Sequence, residues 1–412
     1  GVVENTDVAP RTTGTIDVPF NLPKEIPAGS EYYLNISVSL KEAERWAEKG
    51  AEMSWGQIAV PVEVKQAAPA VSEKEVTVSD ETDGYAVEGE NFSFTIDKKT
   101  GILKNYVYDG ETLVKQGPTP NFWRGRLEND KDGWYSGNTF DWGWEKVEKN
   151  IKVESVTASE KDGQHVITAE LVFPDGGNTK EIIVYTINGD GQVTVNMKVD
   201  PTKSGMGNML RVGSRMTLPE GFENVTWYGN GPVETFNDRK TNGRQGIWEN
   251  TVNRFFYPYL RVDDSGNLTD VKWISVENPE MKNALLVAAK DTVEAQALHY
   301  TPDELNAVEH VYELQPQDGK ETYLNVNYGS SGTGGATCGP ATLVQYRLPS
   351  NRVYEWEFTM IPVSKDADTE EISNLAKTYH TVDVFDQAEY DAQVAADIIK
   401  RVDEFVVYTT AS

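Results

Sequence analysis

The chain has 412 residues, a length that suggests two or three domains and can bury a substantial core. Its 65 acidic residues outnumber 38 basic ones, and the net charge of −27 argues against nucleic acid and anionic membranes as partners. A single cysteine, Cys338, excludes an internal disulfide framework and a cysteine-rich zinc site, and no apolar run approaches the length of a membrane span. The acidic residues are spread along the chain rather than gathered in a tail, so they read as a solvated surface. So little cysteine suits either redox compartment. No signal peptide precedes Gly1 and no Met opens the chain, which is expected to begin inside a domain.

Residues 1–66 form a first unit. Strands are predicted over Thr15–Val18, Tyr32–Leu40 and Gln57–Val64, and Lys41–Lys49 is a polar connection with helical potential. Three or four strands are too few for a complete sandwich, so partner strands are expected upstream. Gln66–Ala70 reads as a linker. Residues 71–363 form a large β unit. Alternating runs at Phe92–Ile96, His165–Phe173, Glu181–Ile187 and Val193–Val199 are separated by turn signals such as Asp97-Lys98-Lys99-Thr100-Gly101 and Asn188-Gly189-Asp190-Gly191. Many short strands at regular spacing predict sandwiches rather than a parallel α/β fold. Residues 364–412 read as the helical start of a further module. Asp368 is placed to cap a helix over Thr369–Tyr379, and Asp386 another over Gln387–Phe405, before a β-like run at Val406–Thr409.

Two segments stand out for chemistry. Trp227-Tyr228-Gly229-Asn230-Gly231-Pro232-Val233-Glu234-Thr235-Phe236-Asn237-Asp238-Arg239-Lys240 is too specific in spacing for an ordinary loop, although its glycines and proline are also what a plain turn needs. Adjacent Asp238 and Arg239 need separate partners. Gly332-Thr333-Gly334-Gly335-Ala336-Thr337-Cys338-Gly339-Pro340 has four glycines among small residues, which lets backbone approach a ligand closely. Cys338 has no activating base nearby in sequence and reads as a packing residue rather than a nucleophile. Four histidines, His165, His299, His310 and His380, are too dispersed for a metal site, although His299 and His310 could flank one loop as an acid–base pair. Asp263–Asp270 lacks the spacing of a calcium loop and reads as a turn. The tryptophans could stack on sugars but read mostly as core. Trp134, Trp142 and Trp144, in a Gly/Asp/Asn-rich stretch, are the ones expected to be exposed, with Arg124, Arg126, Asn129 and Asp130 near them as hydroxyl-binding groups. Glu128, Asp130 and Asp132 form the best carboxylate cluster, read as a solvated loop.

The Trp227–Lys240 segment resembles the W-(Y/F)-G-x-G-P-x-E-x-(Y/F)-x-D-R-(K/R) signature in the small-chain domain of glycoside hydrolase family 2 β-galactosidases. Other segments resemble the same family in the same order. They are the hairpin Asn91–Gly101 with Ile102 and Leu103, the stretch Asn121–Asp130, Tyr257–Arg261 with Gly266–Trp273, His299–Leu305 with Glu309-His310, and Gly332–Pro340 with Tyr346-Arg347-Leu348. Departures are Gly125-Arg126 for Ala-Pro, Glu128 for Asp, and Val262-Asp263-Asp264 for Pro-Gln-Glu. Residues 1–66, notably Asp7-Val8-Ala9-Pro10, resemble the immunoglobulin-like domain that precedes this unit.

The resemblance implies a mainly β fold: a partial immunoglobulin-like sandwich, then a large β-supersandwich of the galactose-mutarotase kind, then a short helical segment. It implies a C-terminal portion of a β-galactosidase, a bacterial enzyme that hydrolyses terminal β-D-galactosides with retention. The catalytic glutamates and any divalent metal would lie in a TIM barrel outside this chain, where no alternating β/α pattern of that length occurs. The chain alone is then expected to be inactive and free of cofactors. Its partners would be the barrel and the galactoside, with no nucleic acid and no membrane. The family's glycine-rich loop reaches the mouth of the galactose pocket, which implies substrate-binding roles for Gly334, Gly335, Ala336, Thr337 and Cys338. A stacking aromatic found there in some members corresponds to Cys338, which cannot stack. Extracellular or cell-surface placement is favoured over cytoplasmic. Two readings of other classes stay open: a stand-alone carbohydrate-binding module using exposed tryptophan, and an aldose epimerase, which would need a convergent His and Glu.

Overall fold

The structure, a computed structural model, describes residues 1–3, 8–9, 11–62, 64–69, 72–131, 139–335 and 342–382. The chain divides into a smaller unit, Gly1–Ala67 with Thr381–Ser412, and a larger one, Ala68–His380. The second predicted helix, Gln387–Phe405, and the run Val406–Thr409 lie outside the described residues. In the smaller unit β1 (Tyr32–Ser39) and β2 (Glu52–Val60) pair antiparallel, with Tyr32 opposite Val60. The expected strand at Thr15–Val18 does not form, and Lys41–Lys49 forms bends rather than a helix.

The larger unit contains β3 (Thr77–Asp80), β4 (Gly84–Glu88), β5 (Phe92–Asp97), β6 (Leu103–Tyr108), β7 (Glu111–Asn121), β8 (Lys152–Lys161), β9 (Gln164–Phe173) and β10 (Thr179–Ile187). It continues with β11 (Val193–Asp200), β12 (Arg211–Leu218), β13 (Asn224–Gly231), β14 (Arg244–Thr251), β15 (Leu268–Glu277), β16 (Asn283–Leu298), β17 (Thr322–Ser330) and β18 (Tyr354–Ser364). These form one 16-stranded sheet in the order β3-β4-β5-β6-β7-β12-β17-β16-β18-β11-β10-β9-β8, with β13, β14 and β15 branching from β16. Every pairing is antiparallel.

Alternation decides which face of each strand is buried. In β10 and β11 every second residue is buried, so Ile183, Tyr185 and Ile187 face Val193, Val195 and Met197 on the core side. The turn between them, Asn188–Gln192, works through Gly191, whose φ of 87° favours glycine. β16 is buried on both faces. Leu285, Val287 and Ala289 enter the main core, and the alternate Ala284, Leu286 and Ala288 form a second cluster with Trp273, Ile361 and Val363. A helix over Thr369–Ala376 covers that second cluster with Ile372, Leu375 and Ala376. Asp368 caps it as the sequence predicts, its side chain accepting from Glu371 N while Glu371 reaches back to Asp368 N. By its contacts this helix counts with the larger unit, so the division falls after His380 rather than near 364.

Five of the tryptophans are core: Trp123, Trp144, Trp227, Trp273 and Trp356. Trp144, expected at the surface, is fully buried against Phe122 and donates to Gly207 O at 3.1 Å. Its glycine-rich flanks form a 3₁₀ turn, Trp142–Lys149, that folds the ring inward. Trp142 is half-buried under the Arg126 guanidinium, and Trp134 is outside the described residues.

Candidate functional site

Five segments distant in sequence meet at one place in the larger unit: 124–130, 234–240, 257–267, 309–312 and the stem of the glycine-rich loop, 332–335. Side-chain hydrogen bonds make each junction.

The segment after β7 turns on a buried ion pair. Arg124 Nη1 donates to Asp130 Oδ2 at 2.7 Å, Nη2 to Oδ1 at 3.3 Å, and Nη1 also to Gly125 O. Asp130 Oδ2 further accepts from Leu127 N at 2.9 Å. Arg124 is 0% and Asp130 2% exposed. The sequence suggests both as sugar-binding groups, but in this geometry they bind each other and shape the turn. Burial of a charged pair is tolerated because it is bidentate and its oxygens are filled. Arg126 is held by Glu145 at 2.7 and 2.8 Å, and its backbone N–H by Asn306 Oδ1. Arg261 joins this segment to the next, donating to Glu128 at 3.3 Å and Glu309 at 3.1 Å.

Asn129 and Asp238 grip the loop stem from two sides. Asn129 Nδ2 donates to Thr333 O at 2.7 Å. Asp238 Oδ1 accepts from Thr333 N at 2.8 Å and Thr333 Oγ1 at 3.2 Å, and Oδ2 accepts from Gly334 N at 2.8 Å. Glycine is required at two positions here. A Cβ on Gly332 would fall 2.5 Å from Asp238 Cγ, and Gly334 has a φ of 82°. The stem is closed below by Gly332 N donating to Tyr346 O and Thr342 Oγ1 donating to Gly332 O. Gly335 is exposed with open space around it. Ala336, Thr337 and Cys338 lie outside the described residues.

Asp238 and Arg239 take the separate partners that adjacency demands, but on a tight turn closed by Phe236 and Arg239 rather than on a strand. Arg239 pairs with Glu234 and lies over the Phe236 ring. Glu234 also accepts from Gly266 N at 2.8 Å, which ties the signature segment to 257–267. In the stretch that superficially suggests calcium, Asp264 faces Arg211 at 3.3 Å and accepts from Gln296 at 2.8 Å. No group of His, Cys, Asp or Glu among the described residues is arranged to hold a metal. No helix among them is long and apolar enough to cross a membrane. His299 binds Glu223 at 2.8 Å and Glu321 O at 3.0 Å, while His310 stacks on Tyr312, so each is held by its own neighbours.

Beside these segments lies an apolar surface. Tyr257, Leu260 and Tyr312 are 60%, 73% and 76% exposed, and Tyr257 and Tyr259 contact each other with ring centroids 4.5 Å apart. Val311 N donates to Leu260 O, so Tyr312 belongs to the same surface.

Sequence reasoning quoted Asp238 within its motif but gave it no role, because its partners lie 95 and 96 residues away. It missed Glu294 altogether. Glu294 is 7% exposed on β16 and accepts from Asn267 Nδ2 at 3.2 Å. Burial pushes its carboxyl up to about 7, against the opposing pull of Ser330, Arg211, Asn267 and Lys240.

A family model described as "Beta galactosidase small chain" matches residues 88–360, and one described as "Beta-galactosidase, domain 4" matches residues 1–61. This chain belongs to the β-galactosidase small-chain family, and with its preceding domain it corresponds to a portion of a β-galactosidase. A β-galactosidase of Priestia megaterium is 30% identical over 358 residues, covering 87% of this chain and 34% of the relative. One of Streptococcus thermophilus is 26% identical over 359 residues, and one of Kluyveromyces lactis 26% over 363 residues. These cover 87% and 85% of this chain and 34% of each relative, so the chain spans about a third of the curated relatives it matches. A galactose 1-epimerase from Lactobacillus acidophilus aligns over 71% of this chain and 99% of its own at 10% identity and a TM-score of 0.39, a likeness too low to bear on activity.

Proposed function

We propose that this chain is the non-catalytic C-terminal portion of a β-galactosidase acting on terminal β-D-galactosides. It buttresses a TIM barrel that carries the catalytic carboxylates and any divalent metal, and it lends its glycine-rich loop to the substrate cleft. The observation that carries this reading is the coverage, since relatives with this name extend to about three times the matched length. The grip of Asp238 and Asn129 on Thr333 and Gly334 supports it. A loop that helps bind a substrate works best when its stem is held by packed residues, so that ordering cost is met before the ligand arrives. The apolar surface at Tyr257, Leu260 and Tyr312 supports a protein partner, because exposed apolar patches of this kind mark interaction sites.

The test is a chimera of the Priestia megaterium relative whose last third is replaced by this chain, assayed beside the isolated chain on a chromogenic β-galactoside. The chimera is expected to turn over and the isolated chain is not. Asp238→Ala in the chimera is expected to raise KM by about tenfold, with a smaller change in kcat. Turnover by the isolated chain would sink the proposal. Saturable galactoside binding by the isolated chain through the loop, with an inactive chimera, would favour a carbohydrate-binding module.

A further inference from the structure

Three strands of the large sheet pair on one side only: β3 and β8 at the ends of its path, and β14 on its branch. Two of these edges are guarded. β3 is four residues long, and β8 carries Lys152, Glu154, Glu160 and Lys161 and breaks register between Val153 and Ser155. Shortness, charge and irregularity are the ordinary means by which an edge is kept from pairing. β14 lacks them along its middle. It runs eight residues in unbroken register with β13, holds no proline, and its only charges, Arg244 and Glu249, cancel.

The phase of the ladder decides which backbone groups face outward. Val252, just past β14, donates its N–H to Glu223 O at 2.8 Å, one step beyond the Asn224–Thr251 pair. Bonded and non-bonded pairs alternate in an antiparallel ladder. Trp248 and Asn250 therefore bond to β13, while Ile247 and Glu249 turn their N–H and C=O away from it. The side chain of Ile247 belongs to a cross-strand row on the face of the second hydrophobic cluster. Trp273 of that cluster stands opposite Tyr228, and Tyr228 stands opposite Ile247. The row stops there, with Ile247 46% exposed.

A second copy of β14 continues both the ladder and the row. Antiparallel pairing about a two-fold axis at Ile247 sets that residue against its counterpart. It sets Gln245 against Glu249 of the second copy, and Arg244 against Asn250. Ile247 is then covered by Ile247, amide meets carboxylate, and no like charges are opposed. The next bonded register in either direction sets Ile247 against Gln245 or Glu249 instead. The edge thus complements itself in one register, and it is a neutral strand on a chain of net charge −27.

We propose that β14 is a self-association edge, through which two copies of this chain join their large sheets antiparallel about Ile247. The inference does not rest on the β-galactosidase reading.

Sedimentation equilibrium of the 412-residue chain in about 0.15 M salt, which screens its net charge, is expected to show a monomer–dimer equilibrium. A Kd on the order of 10–100 μM suits so small an interface. Ile247→Asp and Ile247→Lys each bring like charges together at the axis, and each is expected to weaken the dimer at least about tenfold. An equal mixture of the two variants brings opposite charges together, and is expected to recover most of the lost association as a mixed dimer. Only pairing of position 247 with itself predicts that recovery. Should either variant lower the unfolding midpoint, Ile247→Pro decides. It removes an N–H that β13 does not use, and is expected to abolish the dimer while the chain stays folded. A chain still monomeric at about 1 mM overturns the proposal. So does a mixture that fails to recover. A dimer that the variants leave intact also overturns it, and would move the contact to another face such as Tyr257, Leu260 and Tyr312.

Discussion

Two buried carboxyls on this sheet invite direct measurement. Glu181, in β10, is 1% exposed, and neither side-chain oxygen has a hydrogen-bond partner. Burial pushes its carboxyl well above the usual range, which favours the protonated form. A raised folded-state value means that its contribution is fully present below the unfolded pKa and is lost as pH climbs through the folded one. Glu181→Leu is therefore expected to stabilise the chain by about 1–3 kcal/mol, with the gain growing toward alkaline pH, in urea unfolding near pH 6 and pH 9. An equal gain at both would show that the folded-state value is not raised into this window. Glu294 behaves in the same sense at lower pH. Its value is pushed up to about 7, so stability is lost as pH rises from the ordinary carboxylate range through neutrality, by on the order of 3 kcal/mol. Glu294→Gln is expected to flatten the stability profile over that window, and an unchanged slope would place the titration elsewhere.

At the scale of elements, the loop stem and the strands under it were legible to different degrees. The Asp368-capped helix could be read in advance because a capping box lies within four residues, and every hydrogen bond that defines it is local. Strands β9, β10 and β11 were legible because alternation reports which face is buried. Thr15–Val18 shows the limit of that signal: a short alternating run becomes a strand only when a neighbour takes its hydrogen bonds. The grip on the glycine-rich loop was not legible, because Asp238 reaches residues 95 and 96 positions away, and Asn129 one 204 positions away. Asp238→Ala removes three hydrogen-bond acceptances on Thr333 and Gly334 at once. Amide exchange at those two residues is expected to accelerate by at least about tenfold, with a global loss of about 1–3 kcal/mol. Unchanged exchange would mean that the packing of Gly332 and Thr342 holds the stem unaided.

For the whole molecule, charge is the property most open to a simple test. A net charge of −27 repels itself, while the many exposed ion pairs are each worth ~0–1 kcal/mol. Salt screens both, but the unbalanced repulsion acts over longer distances than the pairs. Raising ionic strength from about 0.01 M to about 0.15 M shortens the screening length from about 30 Å to about 8 Å, and the unfolding midpoint is expected to rise. A fall would show that local pairs outweigh the net field. The same acidic surface leaves Tyr257, Leu260 and Tyr312 as an apolar exception, the face proposed to meet the remainder of the enzyme.

Composition, periodicity and motif order were enough to determine a mainly β chain, an acidic composition, and the family. Each of these depends on local pattern or on residue types in sequence order, which survive without knowledge of what packs where. Only the tertiary structure decided what the singled-out side chains do. It turned Arg124 and Asp130 toward each other, drew Trp144 into the core, gave Asp238 to the loop stem, and left β14 paired on one side only. The physical reason is that periodicity says which face of an element is buried but not which partner buries it. Partners hundreds of residues apart are chosen by the closing of the sheet as a whole.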